Sequence, residues 1–283
     1  VVALLAAGFA IANGTSDAQS NNKESREAQH EARQQQRAQR LAEYREQLEF
    51  VADVPFMLSW RSTGASIYKL KNREVTYYFV ENHYYFDRTK LYGEFDDAER
   101  FAFFSKVAAT LPQLVGYYPD IVHAHDWSSA LTLVYINEKY RAVEGYQNVK
   151  LVYTIHNIEY QGKYDFAILG DVFSLGENEH TLMEHGGCIN LMKAAIECAD
   201  RVTTVSPRYA EELLNGENAH GLSHILRMYS DKFSGILNGR DYDYYNPETD
   251  PAIKEKYNSE SALAGKTENK LALQSATGLP ERA

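Results

Sequence analysis

Residues 119–162 read PDIVHAHDWSSALTLVYINEKYRAVEGYQNVKLVYTIHNIEYQG, and the fold is decided there. A short run from Asp120 to Val122 carries straight into His123, His125, Asp126 and Trp127. Ser128 to about Tyr140 has a helical pattern. A second apolar run, Val149 to Ile155, ends in His156-Asn157, ahead of Tyr160-Gln161-Gly162. Strand, helix, strand, with polar groups at the end of each strand, predicts a parallel βαβ unit. In open α/β sheets ligands bind in the crevice outside the carboxyl ends of the strands. Both polar clusters fall in that position, so the site is expected there.

Working outward, 283 residues suffice for one large domain or two small ones with a full core. Hydrophobic residues make up 44% and charged residues 24%, the balance of an ordinary globular chain. A net charge of −10 argues against non-specific nucleic-acid binding. No run of 18 apolar residues occurs, so no membrane-spanning helix is expected. The only two cysteines, Cys188 and Cys198, form no CxxC or Cys/His grid, which points away from a zinc site or a disulfide scaffold and fits a reducing compartment. The 21 tyrosines are many; packing is their ordinary role, although a phenol also suits sugar contacts.

Residues 1–50 differ from the rest. VVALLAAGFAIA is apolar and ends in an A-x-A pattern like a signal-peptide cleavage site, but no basic residue precedes it. From Asn21 to Phe50 the chain is rich in Gln, Glu, Arg and Ala, with Leu41, Tyr44 and Leu48 its periodic apolar positions. That predicts a polar helix or a linker. Residues 1–50 carry six basic and seven acidic side chains, so −9 of the net charge belongs to residues 51–283.

From Val51 on, strands are expected over Phe56–Trp60 and Glu74–Val80, and an aromatic loop over NHYYFDRTKLYGEF. Asp96 as N-cap with Glu99 three residues on reads as a capping box. It opens a helix to about Leu114 whose apolar face holds Phe101, Phe104, Val107, Ala108 and Leu111. Beyond the βαβ unit, 164–180 reads as a loop-rich insertion and Asn190–Ala199 as a helix. RVTTV (201–205) reads as a strand, and Ser206-Pro207 as N-cap and N1 of the next helix. Ser234–Leu237 is a last short strand ending in Asn238-Gly239, and Pro251–Ala283 is polar and helical.

Each candidate site residue has a plain structural reading beside its functional one. His123 and His125 share a strand face, and with Asp126 and His156 could in principle hold a metal, but the set lacks the spacing of zinc or iron sites, so no metal is expected. For His123 a buried, satisfied histidine is the favoured reading. His125-Asp126-Trp127 at a strand end suits a sugar: an Asp can grip a hydroxyl or orient a histidine, and a Trp offers a stacking or a packing face. At His156 the functional reading outweighs the structural one, with Asn157 beside it. Gly186-Gly187, ahead of a helix with Asn190 and Lys193, reads as a phosphate or sugar cradle or as a turn. Asn238-Gly239 reads as a turn or a site. No G-x-S-x-G, GxxxxGK[ST] or G-x-G-x-x-G motif occurs.

Five stretches together carry a resemblance: TYYFVENHYYFDRTKLYGEFDDAERFAFFSKVA (76–108), PDIVHAHDWSSAL (119–131), TIHNIEYQG (154–162), GGCINLMKAAIECADRVTTVSPRYAEEL (186–213) and GILNGRDYDYYNPETD (235–250). In these, residues 51–283 resemble the N-terminal catalytic domain of bacterial glycogen synthases and plant starch synthases. These are ADP-glucose-dependent, retaining glucosyltransferases of GT-B fold. The resemblance implies an α/β, Rossmann-like parallel sheet with flanking helices, the N-terminal half of a GT-B enzyme. It implies glucose transfer from ADP-glucose to the non-reducing end of an α-1,4-glucan (glycogen or starch), with ADP-glucose as co-substrate and no further cofactor. It carries the catalytic role to His156 and Asp126, and substrate contact to Asn157, Asn238, Gly187, Trp127 and, on the acceptor side, Tyr92. The expected location is the cytoplasm, with a plastid as the alternative.

The departures from the family pattern also set expectations. Residues 1–50 hold no Lys-Thr-Gly-Gly-Leu segment, which in the family follows the first strand and grips the nucleotide sugar. Residue 283 falls about where the resemblance expects the crossing to the family's C-terminal domain, so that domain is not expected within residues 1–283, and Arg240 stands where the family usually has an apolar residue. The chain is therefore expected to be inactive by itself, with residues 1–50 a leader unlike the family. In the alternative reading it is a non-catalytic glucan-binding module. Residues 1–12 are the expected substitute for the first strand, since an uncovered sheet edge is otherwise left.

Overall fold

The computed structural model describes residues 2–3, 46–88, 90–216, 218–243 and 245–282. Residues 21–45 of the expected leader helix or linker, and most of residues 1–12, lie outside the described residues; its last two, Glu49 and Phe50, are strand rather than helix or linker. The described chain divides into two compact units, residues 1–236 and 237–283.

The first unit opens with a four-stranded sheet ordered β1-β4-β3-β2, where β1 is Val2–Ala3, β2 Glu49–Leu58, β3 Arg61–Asn72 and β4 Val75–Glu81. β2 to β4 form an antiparallel meander, and β1 pairs parallel to β4 at Thr76 and Tyr77. The described part of 1–12 thus lies on this sheet. β3 is the strand that periodicity misses. RSTGASIYKLKN mixes Gly, Ser and Lys with few apolar residues, and its core-facing positions reduce to Ala65 and Ile67, with Leu70 buried on the other face. Pairing on both sides supplies what its own propensity lacks.

After a single turn, α1 (His83–Phe86), comes α2 (Asp97–Val115), which ends at Gly116 in the left-handed region, φ 65°. The expected capping box is absent. Asp96 caps nothing and instead pairs with Arg88 at 2.6 Å, while Glu99 turns to the Tyr85 hydroxyl and to Arg61. Asp97 anchors this end of the helix. Its Oδ2 accepts from Gly93 N and Glu94 N, and its Oδ1 meets Arg100 Nη1 at 2.6 Å. Arg100 is only 3% exposed, and its Nε and Nη2 donate to the carbonyls of Tyr85 and Leu91. The ion pair therefore fastens the aromatic loop, at Tyr85 and over 91–94, to α2.

The second sheet is parallel. β5 (Ile121–His125) leads into α3 (Asp126–Tyr135) and a π-helical turn at 136–140, then returns in β6 (Lys150–Ile155). This is the βαβ unit expected from 119–162. An insertion follows: β7 (Lys163–Tyr164), α4 (Ile168–Asp171), α5 (His180–Met183) and the hairpin β8 (Glu184–His185) to β9 (Cys188–Asn190). α6 (Leu191–Cys198) then feeds β10 (Arg201–Thr204), and α7 (Pro207–Asn215) and α8 (Ser223–Met228) lead to β11 (Phe233–Gly235). The sheet order is β11-β10-β6-β5.

Side chains alternate across these strands. Leu151, Tyr153, Ile155 and Val202 point into the core under α3 and α6, while His125, Thr154 and Thr203 line up in register on the other face. Among the described residues no strand pairs with the outer edge of β5. Ser206 caps α7 as expected, accepting from Tyr209 N at 2.9 Å with Pro207 at N1. Ser206→Ala should cost about 1 kcal/mol, read as a fall in Tm of roughly 3 °C in a thermal melt.

The second unit is carried by α9 (Ala262–Ala276), a largely exposed helix. Its Gly265 lies against Tyr257, and a Cβ there would meet the Tyr257 side chain at 2.5 Å.

Candidate active site

β5 and β6 are parallel neighbours, so their carboxyl ends deliver His125-Asp126 and His156-Asn157 to one place. Asp126 makes the connection. It begins α3 with φ 54°, a left-handed conformation that Asp tolerates better than most residues. Its Oδ1 accepts from His156 N at 2.8 Å and from Asn157 N at 3.3 Å. Burial pushes its carboxyl up, against the pull of these two amides. Asp126 is therefore a bracket across the two strand ends, holding the His156 backbone. The Asn157 side-chain carbonyl closes the turn by accepting from Glu159 N at 3.0 Å.

The rings are equally ordered. His125 Nδ1 and His156 Nε2 lie 3.0 Å apart. His123 stacks on His125 at 4.2 Å, and its Nε2 meets Thr154 Oγ1 at 2.7 Å. Burial, helped by the neighbouring His123 and His156, lowers His125 to about 4. Partial desolvation against the sheet face also lowers His123, with His156 adding to it. His123 is thus satisfied, as expected, but exposed rather than buried, because the sheet face it occupies is the one away from α3 and α6. Among the described residues no group of three or more potential ligands could hold a metal ion.

The remaining candidates fall in different places. Trp127 packs edge-on against Phe101, with ring centroids 4.9 Å apart, and ties α3 to α2. Gly187 stands with Gly186 at the two-residue tip of the β8–β9 hairpin, both at positive φ (82° and 64°). It is not at a helix start. The first turn of α6 is already filled: Asn190 Oδ1 accepts from Lys193 N, and the carbonyls of Gly162 and Gln161 accept from Leu191 N and Met192 N. Asn238 is exposed at the start of the second unit.

Tyr92 comes within 6.2 Å of Tyr160, ring centre to ring centre. They are 46% and 50% exposed and form an open aromatic pair four residues past His156. No motif in the sequence marks Tyr160 as a site residue. Its signal was its place just after a strand end, where an exposed Tyr adds nothing to packing. Gln161 fixes this turn from beneath: it is buried, donates to the Ile158 and His220 carbonyls, and accepts from Asn190 Nδ2.

The comparisons with known proteins agree with this geometry. The family described as "Starch synthase catalytic domain" matches residues 26–228, a match that starts inside the segment set apart by composition. The chain is 42% identical over 244 residues to a glycogen synthase of Streptococcus pneumoniae serotype 2, covering 86% of this chain and 51% of that protein. It is 44% identical over 226 residues to one of Streptococcus agalactiae serotype III, covering 79% and 47%. Among solved structures it is similar to the catalytic domain of starch synthase IV from Arabidopsis thaliana bound to ADP and acarbose. There the TM-score is 0.69 and the identity 34%, covering 83% of this chain and 49% of that one. The chain thus spans about half the length of the curated relatives it matches. With the parallel sheet, the strand-end histidines and the family match over residues 26–228, the chain belongs to the starch synthase catalytic-domain family.

Proposed function

We propose that this chain takes part in glucose transfer from ADP-glucose to the non-reducing end of an α-1,4-glucan, with retention of configuration, in glycogen or starch synthesis. The observation that carries the reading is the bracketed strand-end pair: Asp126 holds the His156 backbone, and the His156 ring is held by His125. A transferase of this kind works by positioning and by electrostatic stabilisation of developing charge. In this reading His156 meets the transferred glucose and supports the oxocarbenium-like centre, the departing phosphate takes the acceptor proton, and Asn157 contacts the donor sugar. Tyr92, paired with Tyr160, offers an aromatic face to the glucan. The cytoplasm is the proposed location, consistent with free Cys188 and Cys198.

The direct test measures incorporation of labelled glucose from ADP-glucose into glycogen. It uses the chain alone and the chain fused to the part of the pneumococcal relative that it does not span. Transfer by the fusion is expected; a folded fusion with no incorporation would overturn the reading.

A glucan-binding role without catalysis is the second reading, favoured by the exposed Tyr92–Tyr160 pair. Co-sedimentation with amylopectin addresses it. Tyr92→Ala should weaken binding about fivefold, on the order of 1 kcal/mol for one aromatic face. Pull-down that is unchanged by the substitution would place the glucan elsewhere.

A further inference from the structure

We propose that His125 is a positioning residue for His156: its imidazole binds His156 Nε2 and orients that ring so that Nδ1 is the nitrogen left to meet a ligand. The role rests on the reading of His156 as a sugar contact, but the geometry behind it stands independently.

His125 is itself tightly held. Its backbone is extended, φ −127° and ψ 125°, and one hydroxyl locks it: Ser129 Oγ accepts from His125 N at 2.7 Å and donates to His125 O at 2.6 Å. The first turn of α3 therefore clamps the last residue of β5. The His125 ring is backed by His123, which is tied through Thr154 Oγ1 to Thr203 Oγ1, again at 2.7 Å. Three adjacent strands thus support one imidazole. Neighbouring residues then divide the task at His156: Asp126 fixes its backbone amide, and His125 fixes its ring.

The chemistry of the contact adds a second point. Two ring nitrogens 3.0 Å apart share one proton, so one ring donates and the other accepts. His125 is lowered to about 4 by burial and its imidazole neighbours, so at neutral pH it is uncharged and able to play either part. When His156 is neutral, the contact holds it in a single tautomer, as either donor or acceptor through Nε2. When His156 is protonated, its Nε2–H donates to His125 Nδ1. The ring keeps its orientation in both charge states. A carboxylate partner would instead draw a proton onto His156 and hold it there. A neutral imidazole orients without fixing the charge.

The test uses the full chain labelled with 15N-histidine, with the His156 ring signals assigned through a His156→Gln variant. Long-range 1H–15N spectra at neutral pH report the state of each ring nitrogen. Two polar substitutions separate the hydrogen bond from mere occupancy. The Asn side chain of His125→Asn places its amide where Nδ1 stood; that of His125→Gln places it nearer the position of Nε2. In the wild type the two His156 nitrogens should give well-separated signals. Those signals should persist in His125→Asn and move together in His125→Gln, as the ring exchanges between tautomers. If His125→Gln leaves them unchanged, or if both variants collapse them in a folded chain, the hydrogen bond is not what orients His156. A thermal melt of each variant verifies folding, and should His125→Gln not fold, His125→Phe supplies the same contrast against His125→Asn. Because no sugar or transfer is involved, absence of glucosyl transfer would count against the functional reading alone.

Discussion

Asp97→Ala should lower the melting temperature by roughly 10 °C. Removing one partner of a buried pair leaves the other charge uncompensated, at a cost of about 3–5 kcal/mol. A chain of this size loses a few degrees per kcal/mol. The cost is high here because Arg100 cannot turn to solvent: it is 3% exposed, with its other nitrogens committed to the Tyr85 and Leu91 carbonyls. The same substitution strips the acceptor from Gly93 N and Glu94 N, so the loop bearing Tyr92 loosens and glucan binding should weaken along with stability. Asp97→Leu combined with Arg100→Met removes both charges and should recover part of the lost stability. A loss below about 1 kcal/mol for Asp97→Ala, the range of exposed pairs, would show that Arg100 is compensated elsewhere.

His156→Ala should reduce glucosyl transfer by about 10²- to 10³-fold in the fusion, the range for removing one preorganised group that stabilises developing charge. Most of the effect should fall on kcat, since an interaction made mainly in the transition state is lost with little change in KM. The fold should be unaffected, because the His156 ring is exposed and its backbone amide, the group Asp126 grips, survives the substitution. Asp126→Ala is the informative contrast. It removes the acceptor shared by His156 N and Asn157 N, so activity and Tm should fall together. Wild-type transfer by a folded His156→Ala fusion would remove this residue from the proposed mechanism.

The parallel sheet was legible because its strands are β-branched and end in polar residues; β5, β6, β10 and the cap at Ser206 fall where 119–162 and RVTTVSP put them. β3 was not legible. Its strand character comes from two neighbours, and a single sequence shows only its own pattern. The end of α2 misled for a related reason: Asp96 and Glu99 have capping-box spacing, but Arg88, Arg61 and Tyr85 compete for them from distant positions. At the site, sequence order gave His125, Asp126, His156 and Asn157 as candidates but not their division of labour. That Asp126 takes a left-handed turn and spans to the next strand depends on a register between segments some 30 residues apart. The Tyr92–Tyr160 contact is longer in range still.

The strand order β5-β6-β10-β11 repeats the order of synthesis. On the ribosome, each new strand has its partner already made, and no earlier strand waits for a later one to slip between it and its neighbour. The closest docking, of β6 on β5, comes first and closes a short loop. The Asp126 bracket needs nothing beyond Asn157, so this strand-end corner can form as soon as β6 and the turn after it have been made. Everything added afterwards extends the sheet away from that corner. Insertions or truncations near β11 therefore act at the growing end, farthest from the histidines, which leaves that margin free to vary while the first-made strands stay constrained.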